Sequence, residues 1–420
     1  MRLQIANPDR HEVISELPYR EPLAHWSLPN LHSVLGLHRH EVRLAEYATV
    51  SYVVKELPDE LALREYRLLR AIDEEGLPTV EVVAVVTERP TGEGLVVTRH
   101  LDYSLPYRSL LMGRGLEIPF LGERMLDAMV ALLVRVHLAG FFWGDCSLSN
   151  TLFRRDAGAL QAYVIDVETA EWHDVLTDGQ RGLDVTLATD NIAGGLLDLQ
   201  SAGRLAPGID PIEVALAIEE HYGLLWHEVT TPSTAAVGDA RPMRERLDRL
   251  HELGFAIEEI EVVTDRDGTQ LSFVPKVVEH GYHAEQLAKL TGLEAGDNQA
   301  RRMLQDIKQY HAYLQDETGQ TIPFNVAAVR WLDRVFEPVM AAIPDHLLDR
   351  LQPAEVFHQL VEFRWQDAER NGGVERKLID LVRDYVAVLD AAPPERLQLD
   401  SAVDTGEHDE PHDVVTTTDD

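Results

Sequence analysis

The sequence predicts an α+β protein in which a β-rich region comes first and helical regions follow. Between residues 31 and 57, three β-branched and apolar runs are separated by short breaks, and two more such runs occupy 80–87 and 94–98. Beyond residue 120, apolar residues recur mainly at helical spacing. An Asp-Arg-Asp-Gly turn at 265–268, flanked by apolar runs, indicates a hairpin. We therefore expect an antiparallel sheet, a mainly helical region, and a mostly helical C-terminal domain with one β-hairpin.

Composition limits the classes of partner. The 420 residues suffice for two or three domains, and the net charge of −34 disfavours nucleic acid and anionic membranes, since both are polyanions. Cys146 is the single cysteine, which excludes an intramolecular disulfide and fits a reducing cytoplasm. The N-terminus lacks the apolar core of a signal peptide, and no stretch reaches the ~18 apolar residues of a membrane span. We expect a cytoplasmic protein that binds no nucleic acid.

A lysine lies inside the third predicted strand, after an N-terminal extension expected at 1–30. Burying an unpaired lysine is costly, so Lys55 should have a carboxylate partner. The predicted helix that follows, at 59–72, offers Glu60 and Glu65. Glu65 shares its face with the apolar residues, whereas Glu60 lies with arginines on a solvated face. We therefore expect Glu65 to pair with Lys55.

The stretch 136–168 carries the residues best suited to chemistry. A Trp-Gly-Asp triplet ends at Asp145, Asn150 comes five residues later, and Asp166 ends an apolar run that follows a predicted hairpin. Phosphoryl transfer needs a carboxylate to orient the attacking hydroxyl, and an amide with a second carboxylate to hold Mg²⁺ against the nucleotide phosphates. Asp145, Asn150 and Asp166 match those three roles in identity, order and spacing.

This pattern resembles the catalytic loop and metal-binding segment of the protein-kinase-like fold, in which D-x-x-x-x-N precedes a strand-end aspartate. Trp-Gly-Asp stands in place of His-Arg-Asp, and Asp-Val-Glu in place of Asp-Phe-Gly, as in bacterial small-molecule and lipopolysaccharide-type kinases. The whole chain resembles a bacterial lipopolysaccharide-kinase-like family with an appended uncharacterised C-terminal domain. The resemblance implies a two-lobed fold, with an antiparallel-sheet N-lobe at 31–100 and a mainly helical C-lobe at 101–222.

The resemblance also implies roles for individual residues in this sequence. Lys55, held by Glu65, would contact the phosphates of ATP, and Asp145 would orient the acceptor hydroxyl. Asn150 and Asp166 would bind Mg²⁺. The implied cofactors are ATP and Mg²⁺, and the implied acceptor is a sugar, a lipid or another small molecule.

Two further segments would contact the nucleotide. Arg99, His100 and Leu101 fall where the family has its hinge, whose backbone contacts adenine. The phosphate-covering loop departs from the family, because its tip offers the single glycine Gly36 instead of several.

The same tip then reads His38-Arg39-His40. We hypothesise that these cations replace backbone amides at the phosphates; an exposed polar hairpin tip is the alternative. Ser147 also replaces a lysine that neutralises the transferring phosphate in many protein kinases. The site as predicted is therefore short of positive charge.

Four neighbouring residues have structural interpretations of their own. Cys146 should be a small buried residue, and His137 a structural histidine near the end of a helix. Asp184 either caps a helix or, as in the family, holds the catalytic loop. Glu168 either adds a carboxylate near the metal or restricts the backbone in the place of the family's glycine.

The C-terminal half carries no motif that assigns chemistry. Its amphipathic helices predict a folded domain at 223–390, followed by a disordered acidic tail at 391–420. A metal cluster of Glu279, His280 and His283 lacks a second ligand pair, and a helix-turn-helix interpretation lacks a basic face. From its position, we expect this domain to select the substrate or to bind a partner protein.

Two functions from different classes remain open. One is an ATP- and Mg²⁺-dependent phosphotransferase acting on a hydroxyl; the other is a pseudokinase-like scaffold that binds nucleotide or a partner without turnover. The single glycine and the missing lysine favour the scaffold. The presence of Lys55, Glu65, Asp145, Asn150 and Asp166 favours the enzyme, because a scaffold has no chemical need for all five. DNA-binding regulation is disfavoured by charge.

Overall fold

The computed structural model describes residues 1–34, 39–47, 50–107, 110, 121–205, 209–236, 239, 241–252, 257–264, 270–277, 281–349, 351–374 and 376–391. Several residues with predicted roles lie outside these ranges. They are Gly36 and His38 of the phosphate-covering loop, the candidate metal ligands Glu279 and His280, and the acidic tail from residue 392.

The N-terminal region forms an antiparallel six-stranded sheet with the strand order β1-β5-β6-β4-β3-β2. Its strands are β1 (Arg2–Ile5), β2 (Leu31–Ser33), β3 (Glu41–Glu46), β4 (Ser51–Leu57), β5 (Val82–Thr87) and β6 (Gly94–Arg99). Helix α1 (Asp59–Glu74) packs against β5 and β6. The predicted antiparallel sheet is therefore present, with one strand more than the sequence indicated.

Residues 1–30 contribute to this sheet, contrary to the predicted extension. β1 pairs antiparallel with β5, and Leu3 lies opposite Val86. Short 3₁₀ helices then bring Ile14 and Leu23 onto the outer face of the sheet, where they pack in one cluster with Tyr52. A strand of four residues is too short for its alternation to stand out in the sequence, which explains the error.

Helix α1 turns Glu65 toward the sheet. The buried residues of α1 recur at helical spacing: Ala62, Glu65, Tyr66, Leu69 and Ile72. The helix approaches β6 closely at Gly94, where an added Cβ would lie 2.9 Å from the Cβ of Ala62. The inward orientation expected for Glu65 is thus what the structure has.

The second region is built around helix α2 and the β9–β10 hairpin. Its elements are β7 (Leu105–Pro106), α2 (Leu121–Leu138), β8 (Phe141–Phe142), β9 (Thr151–Asp156), β10 (Ala159–Val164), β11 (Glu171–Trp172), α3 (Asp178–Ser201) and α4 (Pro211–Thr230). Helix α2 packs against α4 and β10, and α3 packs against α4. Apolar side chains of this region and of α1 form one core, which fixes the two regions relative to each other.

Two predicted boundaries in this region differ from the structure. α4 continues without a break from Pro211 to Thr230, so the boundary expected between 222 and 223 falls inside a helix. α3 begins at Asp178, where Thr177 and Gln180 form a reciprocal capping box. Asp184 therefore lies in the interior of α3, and its interpretation as a helix cap is wrong.

The C-terminal half contains a small sheet followed by helices. Strands β12 (Ser233–Ala236), β13 (Ile257–Thr264) and β14 (Gln270–Val277) form an antiparallel sheet in the order β12-β14-β13, so the predicted lone hairpin has a third strand. Helix α5 (Arg241–Glu252) lies between β12 and β13 in the chain. Across the described ranges, no helix has both the length and the apolar character needed to cross a membrane.

Residues 281–391 are called here the C-terminal helical region. Its helices are α6 (Tyr282–Thr291), α7 (Asp297–Thr318), α8 (Phe324–Trp331), α9 (Glu337–Ala341), α10 (Asp345–Leu348), α11 (Pro353–Arg370) and α12 (Leu378–Ala391). A π-helical turn, Leu332–Phe336, joins α8 to α9. These helices enclose a core of their own.

A buried polar network joins the β9–β10 hairpin to this region. The Asp156 carboxylate accepts hydrogen bonds from the backbone N–H groups of Asn298 and Gln299, at 3.0 and 2.8 Å, and so caps α7 from outside its own segment. Glu355 on α11 accepts from the N–H of Ala157 at 3.0 Å and from Nε2 of Gln299 at 2.7 Å. The hairpin tip is therefore bound by two helices of the C-terminal helical region.

Asp156 makes stability depend on pH in a definite direction. Burial raises the pKa of its carboxyl from 3.8 to about 6, against the opposing effect of the Asn298 and Gln299 amides. Between these two values the folded protein keeps a proton that the unfolded chain has lost, so the contribution of Asp156 to stability falls as pH rises through this window.

Asp156→Asn removes that contribution. We expect the free energy of unfolding of the wild type, relative to the variant, to fall by about 3 kcal/mol between pH 4 and pH 7, since each pKa unit corresponds to about 1.4 kcal/mol. Urea denaturation at both pH values measures this difference. The exposed Asp198 supplies the control Asp198→Asn, and a wild-type advantage that is constant across the range contradicts the account.

Candidate active site

Lys55 joins the N-terminal sheet to the segment that follows the hairpin. Its Nζ lies 3.0 Å from Oε2 of Glu65, 2.9 Å from Oδ2 of Asp166 and 2.9 Å from Oε1 of Glu168. Strand β4 supplies the lysine, α1 supplies Glu65, and the chain after β10 supplies the other two carboxylates. The predicted contact between Lys55 and Glu65 is present, and its part in phosphate binding stays a prediction.

Three carboxylates around one ammonium leave this cluster with excess negative charge. Burial alone would lower the pKa of Lys55, but the charges of Glu65 and Asp166 outweigh burial and raise that pKa. Burial raises the pKa of Glu65 to about 7, although Lys55 opposes the shift. Carboxylate oxygens of Glu65, Asp166 and Glu168 lie within 4.8 Å of one another. Oxygen donors of this kind suit a hard divalent cation.

A buried aspartate of α3 holds the turn that carries Asp145. The Asp184 carboxylate is fully buried and accepts from the N–H of Trp143 at 2.6 Å and from the N–H of Gly144 at 2.9 Å. Gly144 has a φ of 76°, and an added Cβ there would lie 3.2 Å from the carbonyl oxygen of Thr169. Glycine is therefore the residue that this turn tolerates.

His137 and Cys146 have structural surroundings, as the sequence indicated. Nε2 of His137 lies 3.0 Å from Oδ2 of Asp184, and Nδ1 lies 2.7 Å from the hydroxyl oxygen of Tyr222. The histidine thus connects α4 to the aspartate that holds the turn carrying Asp145. Cys146 is completely buried, and burial raises the pKa of its thiol, which disfavours the reactive thiolate.

Two side-chain amides hold the carboxylate of Asp145. Nδ2 of Asn150 donates to Oδ2 at 3.0 Å, and Nδ2 of Asn191 donates to Oδ1 at 3.0 Å. Burial raises the pKa of Asp145, and the hydrogen bond from Asn150 acts against that shift. Because Nδ2 of Asn150 faces Asp145, its Oδ1 is the atom left to bind a cation.

Sequence reasoning missed Asn191. It lies seven residues, or about two helical turns, after Asp184, so both side chains lie on one face of α3. That spacing was readable in the sequence, because both residues belong to one helical segment. Asn191 was missed because it lies 46 positions from Asp145, outside the D-x-x-x-x-N motif.

Glu168 links the ion pairs of Lys55 to the loop between β2 and β3. Nε2 of His40 lies 2.9 Å from Oε1 of Glu168, and Nη1 of Arg39 lies 4.0 Å from Oε2. The Arg39 side chain is 84% exposed, whereas that of Glu168 is 15% exposed. The structure thus brings two of the predicted tip cations to the cluster through a carboxylate whose role the sequence left open.

The hinge residues predicted to bind nucleotide have separate contacts. The backbone N–H of His100 donates to the carbonyl oxygen of Ser51 at 2.7 Å, which fixes the chain as it leaves the sheet. Arg99 forms an ion pair with Glu81 at 3.6 Å, and Leu101 packs half-buried against the main core. A backbone contact with adenine stays a prediction.

A cavity of about 450 Å³ lies beside the hairpin, away from this cluster. It is lined by residues of α2, β10 and α7, among them Arg124, Arg135, Asp156 and Asn298, and its lining does not include Lys55. The cavity therefore belongs to the junction with the C-terminal helical region.

An antiparallel sheet over a helical region, with a strand lysine bound to a helix glutamate and to an aspartate after a hairpin, defines a kinase-like protein. Residues 8–181 match the lipopolysaccharide kinase (Kdo/WaaP) family, and residues 224–389 match a domain of unknown function, DUF4032. The predicted resemblance to a lipopolysaccharide-kinase-like family with an appended uncharacterised domain is confirmed, as is the predicted fold class.

Comparison with individual proteins adds a distant structural relative. Among curated proteins, none matches this sequence. A solved structure titled "WaaP in complex with acyl carrier protein" is 19% identical, covers 60% of this chain and 95% of its own chain, and superposes with a TM-score of 0.35.

Asp184→Asn tests whether Asp184 anchors the turn that carries Asp145. An amide presents a donor to at least one backbone N–H that the carboxylate now satisfies, and a buried unsatisfied donor costs about 1–3 kcal/mol. We expect the free energy of unfolding to fall by about 2–4 kcal/mol, because the bond to His137 changes as well. Denaturant unfolding measures the loss. Asp198→Asn, on the exposed face of α3, should change stability by less than about 0.5 kcal/mol; equal effects of the two variants contradict an anchoring role.

Proposed function

We propose that this protein is an ATP- and Mg²⁺-dependent phosphotransferase that moves the γ-phosphoryl group to a hydroxyl. The observation that carries the proposal is the convergence of Lys55, Glu65 and Asp166 within 3.0 Å contacts, beside a separately held Asp145. Lysine, glutamate and strand-end aspartate in this relation are the parts that position nucleotide phosphates in kinase-like proteins. The match of residues 8–181 to the lipopolysaccharide kinase family supports the same class.

Asp145 is the residue proposed to act on the acceptor. In the transfer, a bond forms between the acceptor oxygen and the γ-phosphorus, the bond from phosphorus to the bridging oxygen breaks, and ADP leaves. The hydroxyl proton passes to Asp145. Asn150 and Asn191 orient the carboxylate for this task, and burial, which raises its pKa, makes it a better proton acceptor.

The donor set around Lys55 fits a magnesium ion. Asp166 and the Oδ1 atom of Asn150 would hold the ion, with Glu168 as a third oxygen donor near Asp166. Mg²⁺ keeps several waters and needs few protein carboxylates. When bound, the ion would offset charge on the phosphates and on the surplus carboxylates that Lys55 alone leaves unbalanced.

Many protein kinases use a lysine of the catalytic loop to neutralise the negative charge of the transferring phosphoryl group. This sequence lacks that lysine, so other residues must supply the positive charge. Ser147 occupies that place, and its hydroxyl bonds to the hydroxyl of Ser149 at 3.0 Å. Arg39 and His40, in the loop between β2 and β3, are described basic side chains that reach the cluster. We propose that they turn from Glu168 to the phosphates when nucleotide binds.

The acceptor, compartment and domain organisation are parts of the same proposal. The family match supports a sugar, lipid or other small-molecule hydroxyl as acceptor, and the single buried cysteine, Cys146, supports a cytoplasmic location. We place α4 with the C-lobe and assign the region after it to a C-terminal domain that selects the substrate or binds a protein partner. The pseudokinase-like scaffold is the second candidate, and Ser147 in the lysine position is the observation that favours it.

Asp145→Asn separates enzyme from scaffold. We expect the variant to keep the rise in melting temperature that Mg²⁺-ATP gives the wild type, but to lose ATP consumption by about 10²–10⁴-fold, the usual contribution of a positioned base. The exposed Asp174 of the same segment provides the matched control Asp174→Asn. Turnover that survives unchanged in Asp145→Asn contradicts the role assigned to Asp145. Binding without turnover in the wild type leaves the scaffold, and no Mg²⁺-dependent binding removes both candidates.

Arg39→Ala, alone and combined with His38→Ala, tests the cationic tip. Removing a charge-assisted contact to phosphate should weaken Mg²⁺-ATP binding about tenfold, since such contacts are worth about 1.5–3 kcal/mol. Isothermal titration measures the dissociation constant. Arg67→Ala removes an exposed arginine of α1 and should leave the dissociation constant unchanged. Unchanged affinity in the double variant would rule out Arg39 and His38 as phosphate contacts.

A further inference from the structure

The β9–β10 hairpin connects the two residues proposed to bind metal. Asn150 immediately precedes β9, and Asp166 follows β10 by two positions. The two ends are joined at the base, where the N–H of Ile165 donates to the carbonyl oxygen of Asn150 at 3.2 Å. Six residue pairs, from Ala159 opposite Asp156 to the last pair at the base, keep the strands in register. A displacement of the tip is therefore transmitted to both proposed ligands.

The tip of this hairpin is bound from outside the kinase-like region. Ala157 and Gly158 form the tip, both with positive φ, at 54° and 86°. The N–H of Ala157 donates to Glu355, and Asp156 beside it caps α7 through two backbone N–H groups. Both contacts are made by helices of the C-terminal helical region.

The contact is buried and its polar groups are mutually satisfied. Asp156, Gln299 and Glu355 expose 3%, 0% and 3% of their surface. Nε2 of Gln299 donates both to Glu355 at 2.7 Å and to the carbonyl oxygen of Arg155 at 3.1 Å. Charged groups removed from water in this way are costly to separate, so the hairpin and the helices should move as one unit.

Gly296 makes the approach of α7 possible. It is the residue before α7, and a Cβ added there would lie 2.4 Å from Oδ1 and 2.7 Å from the Cγ of Asp156. Its φ of −65° is open to any residue, so the obstacle to a side chain is the carboxylate alone. Gly296→Ala therefore acts on this contact without straining its own backbone.

From these contacts we propose that the C-terminal helical region positions the metal-binding ends of the hairpin, with Asp156 and Glu355 as positioning residues. The inference rests on the proposed function for the roles of Asn150 and Asp166. On this proposal, the C-terminal helical region contributes no residue to the site. It affects the reaction by positioning the β9–β10 hairpin. Loss of the contact would leave the core in place and loosen Asn150 and Asp166, and with them their bonds to Asp145 and Lys55.

Hydrogen exchange in the full-length protein tests the mechanical part. In Gly296→Ala and in Glu355→Gln, we expect the amides of β9 and β10, and that of Ile165, to exchange about tenfold faster than in the wild type. Gly296→Ala displaces the Asp156 carboxylate from α7, and Glu355→Gln replaces the charged acceptor of the Ala157 N–H by a weaker neutral one. Amides of α2 should not change, which separates local loosening from unfolding.

Two controls are matched to these variants. Gly223→Ala in α4 adds a methyl group that meets nothing within 4 Å. Asp306→Asn changes a half-buried carboxylate of the same helical region that accepts a hydrogen bond from Trp331 instead of from the hairpin. Neither control should speed exchange in the hairpin. Unchanged exchange in Gly296→Ala and Glu355→Gln, or equal acceleration in the controls, overturns the proposal.

Metal dependence tests the positioning part. In Gly296→Ala and Glu355→Gln, the Mg²⁺ concentration that half-saturates the ATP-dependent thermal shift should rise about tenfold, whereas ATP binding measured without metal should not change. Faster hairpin exchange without any change in Mg²⁺ dependence overturns the positioning role. A wild type that binds no Mg²⁺-ATP refutes the proposed function instead, and the exchange experiment then still decides whether the contact orders the hairpin.

Discussion

The Lys55 ammonium is the interaction on which the candidate site depends. Its three ion pairs bring together a strand of the N-terminal sheet, helix α1 and the segment after the β9–β10 hairpin. Its three carboxylate partners exceed what a lysine can neutralise, and burial makes that excess costly. The same excess that makes the cluster unfavourable by itself makes it suited to a divalent cation and to a nucleotide whose phosphates attract Lys55. The three carboxylates around Lys55 therefore both hold the cluster together and attract the proposed cation.

Two buried aspartates fix the loop and the hairpin on either side of that cluster. Asp184 accepts hydrogen bonds from backbone N–H groups of the turn that carries Asp145. Asp156 accepts hydrogen bonds from backbone N–H groups at the start of α7. In both cases backbone N–H groups replace the water that burial removes. Asp184 lies within the kinase-like region, whereas Asp156 reaches into the C-terminal helical region. The segment proposed to be catalytic is therefore held partly by a region in which the sequence shows no catalytic motif.

Sequence patterns predicted the parts of this arrangement that follow from local rules. Helical periodicity predicted that Glu65 faces the core, and the D-x-x-x-x-N spacing identified Asp145 and Asn150 as candidate site residues. Interactions between distant segments left weaker signals. The four residues of β1 are too few to show alternation, and Asn191 lies 46 positions from Asp145, outside the D-x-x-x-x-N spacing. The contact of Asp156 with α7 joins residues about 140 positions apart, and no periodicity or spacing rule connects them.

The central claim is that this cluster holds a divalent cation together with nucleotide. Electron paramagnetic resonance of Mn²⁺, titrated into the protein with a non-hydrolysable ATP analogue, tests it most directly. We expect one tightly bound Mn²⁺ per chain that requires the analogue and is lost in Asp166→Asn. Its spectrum should persist in Asp145→Asn, because Asp145 is assigned to the acceptor. Mn²⁺ binding that ignores Asp166→Asn, or no nucleotide-dependent binding, would contradict the account.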